Sequence, residues 1–150
     1  MKSPLGSDVF NKTKRSEVMA CIRGHGNRTT ELAMIKLFRI HHITGWRRRQ
    51  PVFGKPDFIF RRQKIAVFVD GCFWHGCPKH GRKPNSNRLY WNKKLKRNRE
   101  RDAKVEKTIT KMGWSVIRFW EHDLRNPDKC VSTVRQALIR ARNRLKSATN

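Results

Sequence analysis

The chain has 150 residues with 36 Lys and Arg against 11 Asp and Glu, a net charge of 36 − 11 = +25 that calls for a polyanionic partner. Hydrophobic residues still make up 37%, with five Trp and eight Phe, which excludes a purely disordered basic tail. The longest apolar run, Ile65 to Val69, is far short of the ~18 residues a bilayer span needs, and no apolar secretory segment follows Met1, so the expectation is a single cytoplasmic domain over 1–150 that faces nucleic acid.

Residues 1–14 read as a flexible basic arm, followed by a short helix over Arg15–Arg23 that Gly24-His25-Gly26 breaks. Thr29 or Thr30 offers a hydroxyl to cap a second helix, whose stripe is Leu32, Ile35 and Phe38, widened by Met34 and Leu37. Asp57 to Phe60 and Lys64 to Val69 are strand-like, and the short polar link Arg61-Arg62-Gln63 suits an antiparallel hairpin; a further strand near Trp46 is left open. Residues 71–91 form an irregular loop of Gly, Pro, Asn and Ser among Cys and His. Asn92 to Met112 reads as a long helix closed by Gly113, Trp114 to Trp120 as a strand, and Cys130 to Lys146 as a basic amphipathic helix. That order implies an α/β fold in which helices flank a small mixed sheet.

Several side chains stand out against this scaffold. Leu95, Asn98, Asp102, Val105, Ile109 and Met112 share one helix face, so two polar groups interrupt a stripe whose four apolar members face the core. Either that end of the helix is solvated, or Asn98 and Asp102 look into a polar site. A hairpin sets the start of one strand beside the end of the next, bringing Asp57 towards Asp70. Two close carboxylates ionise poorly without a cation, which points to Mg²⁺, with Glu31 as a third oxygen donor. Taken singly, the two Asp are ordinary turn residues and Glu31 only complements a helix dipole. The four cysteines are Cys21, Cys72, Cys77 and Cys130, and nothing signals export, so a metal site is preferred to disulfides. Cys72, Cys77 and His80 give a Cys-x4-Cys-x2-His spacing compatible with structural Zn²⁺, with His122 as the distant fourth ligand or His75 as its substitute. His75 can otherwise take a proton from water attacking a phosphodiester, oriented by Asp102. Phe73, Trp74 and Trp91 lie in basic, irregular surroundings where rings stack on bases or wedge between them, while Trp114 and Trp120 are expected in the core.

Gly71-Cys72-Phe73-Trp74-His75 after one strand, with Pro56-Asp57-Phe58 on the strand before it, resembles the very short patch repair (Vsr) endonucleases. The likeness runs from Lys12 to Arg125 and takes in Thr13-Lys14-Arg15-Ser16, Met19, Glu31, Trp91, Asn98 to Asp102 and Phe119-Trp120-Glu121. It implies a restriction-endonuclease-like αβββαβ core with structural zinc, nicking one strand of duplex DNA beside a T:G mismatch. On the matching positions, Asp57 and the Val69 carbonyl hold Mg²⁺, Glu31 acts through metal-bound water, and His75 is the base with Asp102 as its partner. Phe73, Trp74 and Trp91 enter the duplex from the major groove and Met19 from the minor groove, with Arg15 and Asn98 as further DNA contacts. A monomer is implied, with mismatch-repair proteins among its partners. The chain departs from the family pattern in three places. It has Val69-Asp70 where the family has Thr-His, which makes Asp70 an added metal ligand. A shorter zinc loop makes His80 a ligand, and His122 replaces a Cys. The alternatives are a related homing or restriction-associated endonuclease with another target, and a non-catalytic zinc-stabilised DNA-binding module. The acids weigh against the last, since each repels DNA.

Overall fold

A computed structural model of the chain describes residues 29–81 and 85–149. The basic arm, the Arg15–Arg23 helix, Cys21, and the expected DNA contacts Arg15 and Met19 lie outside the described residues.

Helix α1 spans Glu31–Ile40 and buries Glu31, Met34, Ile35, Leu37 and Phe38. Leu32, expected on the inner stripe, is instead exposed at 41%. A face centred on Met34 and Phe38 turns Leu32 outward and Glu31 inward, since helix neighbours repeat at three and four residues. Strand β1 (Phe58–Phe60) pairs antiparallel with β2 (Ile65–Asp70), Phe58 opposite Val67 and Phe60 opposite Ile65. The turn between them closes with the Lys64 N–H donating to the Arg61 carbonyl at 3.3 Å, and Lys64 adopts a left-handed φ of 51°. The further strand left open near Trp46 is a single bridge, Arg47 to Ile59.

Helix α2 (Arg88–Lys111) then crosses over the sheet and returns the chain as β3 (Ser115–Trp120), parallel to β2 with Asp70 opposite Trp120. The sheet order is β1-β2-β3. Helix α2 begins four residues before the expected Asn92, immediately after Asn87 in the left-handed conformation. A 3₁₀ turn over Glu121–Arg125 leads into α3 (Pro127–Ser147), which starts three residues before the expected Cys130. The Asn126 side chain accepts the Lys129 N–H and proline fills the first turn, a strong start signal.

Pleat alternation divides the core between the two faces of the sheet. Phe58, Phe60, Ile65, Val67, Val69, Ile117 and Phe119 pack with α1 and α3, around Phe38 and Val134. On the other face Ala66 and Phe68 meet Ile109 and Val105 of α2, with Trp114 and Val116 beside them. Met112, assigned to the inner stripe of α2, is 53% exposed, because the helix ends at Lys111 and Met112 is the cap residue beyond it. No helix among the described residues is long and apolar enough to cross a membrane.

Candidate active site

The candidate side chains gather where β2 ends, β1 begins and α1 starts, facing the middle of α2. A cleft of about 930 Å³ opens there, lined by Glu31, Asp57, Val69, Asp70, His75, Asp102 and Arg118 among others. The antiparallel pairing of β1 with β2 sets Asp57 beside Val69, whose N–H donates to Asp57 Oδ2 at 2.8 Å. Glu31, 4% exposed, accepts the Arg48 Nε–H at 2.7 Å and a further bond from the same guanidinium. The basic run 47–49 contains the partner of Glu31 and not only a solvated surface.

The polar interruption of the α2 stripe is not a solvated end, since both side chains have partners. Asn98 Nδ2 donates to the Trp74 carbonyl at 2.9 Å, and Asp102 Oδ2 lies 2.6 Å from His75 Nδ1. Burial alone would lower the His75 pKa, but the bond to Asp102 and the charges of Asp70 and Asp102 outweigh it and hold the imidazole above its ordinary value. Burial likewise pushes Asp102 up, and the hydrogen bond and charge of His75, with Arg118 and Arg101 behind it, bring it below the usual carboxylate range. His75 Nε2 faces the cleft with Asp70 Oδ1 3.8 Å away. The ring therefore has one nitrogen fixed by a carboxylate and the other turned to the cavity, the geometry of a proton acceptor.

Cys72, Cys77, His80 and His122 converge so that their ligand atoms all lie within 4.8 Å of one another. The loop turns back through the Cys77 N–H to Cys72 carbonyl bond at 2.9 Å, and the 3₁₀ turn after β3 delivers His122. His122 Nδ1 is 3.3 Å from Cys72 Sγ and 3.6 Å from Cys77 Sγ, and its Nε2 is 3.6 Å from Asp123 Oδ1. A carboxylate behind the outer nitrogen of a ligating imidazole is the usual support for a metal ligand. Burial, with the neighbouring Cys77, pushes the Cys72 thiol above its ordinary value, so bringing these sulfurs together suits a cation that displaces the proton. Two sulfurs and two imidazoles fit tetrahedral zinc, whereas the hard carboxylate of Asp57 in the cleft fits Mg²⁺, with Glu31 beside it held by Arg48. His75 lies with Asp70 and Asp102 and not in the sulfur cluster.

Phe73, Trp74 and Trp91 form one aromatic group, with Phe73 5.0 Å from Trp74 and 5.3 Å from Trp91 between ring centroids. Lys94 Nζ lies over Trp74 at 5.3 Å and over Trp91 at 5.4 Å, joining charge to π-faces as single-strand and wedge contacts do. Trp91 is 8% exposed, while Phe73 and Trp74 are half-buried. Trp114 packs partly buried against the α2-side core, and Trp120 is likewise half-buried. Arg118 was not singled out in the sequence; a lone cation between Ile117 and Phe119 in a strand is the signal that could have found it.

Comparison with known proteins adds the family. The profile of the DNA mismatch endonuclease Vsr family matches residues 7–80. Over 134 residues, 87% of this chain and 90% of the relative, the sequence is 37% identical to the type II nicking enzyme V.NmeDIP of Neisseria meningitidis serogroup C. The chain belongs to the Vsr family. It is a DNA endonuclease, and DNA is its substrate. A second relative, the type II nicking enzyme V.NaeI of Lentzea aerocolonigenes, is 56% identical over 69 residues, 46% of this chain and 42% of its own length. The DNA mismatch endonuclease Vsr of Escherichia coli (strain K12) is 28% identical over 124 residues, 82% of this chain and 79% of that protein.

Proposed function

We propose that this Vsr-family chain nicks one strand of duplex DNA beside a T:G mismatch, in a Mg²⁺-dependent reaction, with zinc holding the loop of residues 71–81. The observation that carries the chemistry is the 2.6 Å His75–Asp102 contact in a cleft shared with Asp57. His75 Nε2 accepts the proton of the attacking water while Asp102 fixes the ring through Nδ1. Asp57 and the Val69 carbonyl hold Mg²⁺, and Glu31 orients water beside it. When bound, that ion stabilises charge on the phosphate and the leaving oxygen. Cys72, Cys77, His80 and His122 hold zinc. Phe73, Trp74 and Trp91 wedge into the duplex, Asn98 fixes the Trp74 backbone beneath them, and Met19 and Arg15 reach the DNA from the N-terminal segment. The mismatch itself is supported by the name of the Escherichia coli relative. The other relatives are named only as type II nicking enzymes, which supports nicking and leaves a related homing or restriction-associated endonuclease with another target as the second reading. The chain acts as one monomeric nuclease domain in the cytoplasm, with mismatch-repair proteins as partners.

Cleavage of matched, T:G-mismatched and single-stranded oligonucleotides with Mg²⁺ tests the reading, alongside Asp57→Ala and His75→Ala. Nicking confined to the T:G duplex and lost in both variants is expected. Equal nicking of the matched duplex overturns mismatch specificity in favour of the second reading, and cleavage retained in His75→Ala overturns the assignment of the base. Bound zinc should fall in both His80→Ala and His122→Ala; full retention in both refutes the four-ligand site.

A further inference from the structure

The Val69-Asp70 departure makes Asp70 an expected cation ligand, but its carboxylate is already held. Parallel register places Arg118 opposite Phe68, so its side chain leaves the sheet on the α2 face, one pleat before Asp70. Arg118 Nη1 lies 2.5 Å from Asp70 Oδ2, and its guanidinium carbon sits 4.5 Å from the centroid of the Phe68 ring. Asp70 is 5% exposed. Its second oxygen, Oδ1, is the one that lies 3.8 Å from His75 Nε2. The Arg118 Nε is buried without a hydrogen-bond partner among the described residues, and Glu106 Oε2 is 3.9 Å away.

A guanidinium in contact with a carboxylate also disfavours a divalent cation on the same group, because the two positive charges would stand within a few ångströms of each other in a partly dry cleft. We propose that Arg118 is a positioning residue for the nicking reaction. It holds Asp70 out of the coordination set of the cation at Asp57 and keeps its free oxygen against the cleft-facing nitrogen of His75. The cleft thereby carries one exchangeable cation and one built-in cation. This rests on the reading of Asp57 as the cation ligand and His75 as the base.

Calorimetric titration of the full-length protein with Mn²⁺, without DNA, separates the two. Asp70→Asn should leave Mn²⁺ affinity within about threefold of the native value, because Asp70 is not a ligand. Arg118→Met should tighten it about fivefold or more by releasing Asp70 to the ion, whereas Arg118→Lys, which keeps a cation at the carboxylate, should stay near native. The gain should vanish in Arg118→Met/Asp70→Asn. Loss of affinity beyond about threefold in Asp70→Asn overturns the proposal, as does a gain that persists in the double variant. Thermal melting of each variant reports folding, and the Asp70→Asn arm decides even where Arg118→Met does not fold. Single-turnover nicking should fall in Arg118→Met and recover in part in Arg118→Lys; equal rates in the two overturn the positioning role. Unchanged Mn²⁺ affinity in Asp57→Ala, or cleavage retained in His75→Ala, would instead remove the underlying reading.

Discussion

His75 and Asp102 illustrate how one contact sets two titrations. His75 is held above its ordinary 6.5, so the stability it contributes is present below that value and is lost as pH rises through the higher folded one. Asp102 is held below its ordinary 3.8, so its contribution is present above that value and is lost as pH falls through the lower folded one. Both contributions are complete between 3.8 and 6.5. Asp102→Asn should therefore destabilise the protein most at about pH 5.5, by on the order of 1 kcal/mol after solvent screening, and less at about pH 9. Urea denaturation of both proteins at the two pH values measures this, and an equal loss at both would sink it. Cys130 gives a second case at this scale. Burial, then the Asp123 charge, pushes its thiol up to about 11, and its Sγ donates to the Asp123 carbonyl at 3.3 Å. The thiolate is the reactive form, so Cys130 should resist a disulfide reagent in native protein at about pH 8 and react on unfolding. Mass-spectrometric mapping reads this directly. Because the shift is upward, its effect on stability is absent below 9 and grows unfavourable as pH climbs towards about 11.

Among the elements, the segment between α1 and β1 closes the cleft by touching α2 at one tight point. Gly54 has φ +77°, and a Cβ built there would overlap Val105 Cγ1. Gly54→Ala should cost about 1–3 kcal/mol, from left-handed strain and overpacking together. Gly54→Ala/Val105→Ala should lose less than the sum of the two single changes, which thermal unfolding of the four proteins tests. The same elements show what the sequence made legible. Runs such as Ile65 to Val69 declared their strands because buried parallel strands are continuously apolar, and Gly113 with φ +85° marked the end of α2. Cys-x4-Cys-x2-His spacing and the Asn98–Asp102 interruption pointed to groups that do converge. The orientation of α1 was not legible, since Leu32 and Met34 differ by a rotation that only packing against the sheet decides. Nor was the Arg118–Asp70 pair, because parallel register between β2 and β3 depends on how the crossover helix seats.

At the scale of the whole molecule, +25 over 150 residues is a field before it is a set of contacts. Binding to duplex DNA should weaken steeply with salt, by about 10³–10⁵ between 50 and 200 mM if roughly 6–10 phosphates are engaged. The ratio between mismatched and matched duplex should change far less, because counterion release is blind to sequence. Fluorescence anisotropy across a salt series measures both, and an affinity indifferent to salt would refute the electrostatic account. The stretch from Val69 to His80 carries, without interruption, the proposed base, two of the three wedge rings and three of the four zinc ligands. On the proposed roles, loosening the Cys72, Cys77, His80 and His122 cluster would therefore disable water activation and the grip on the bases at the same moment. On that reading a copy of this enzyme with a damaged loop would fall silent and would not become a nuclease that still cuts but has lost its sense of where.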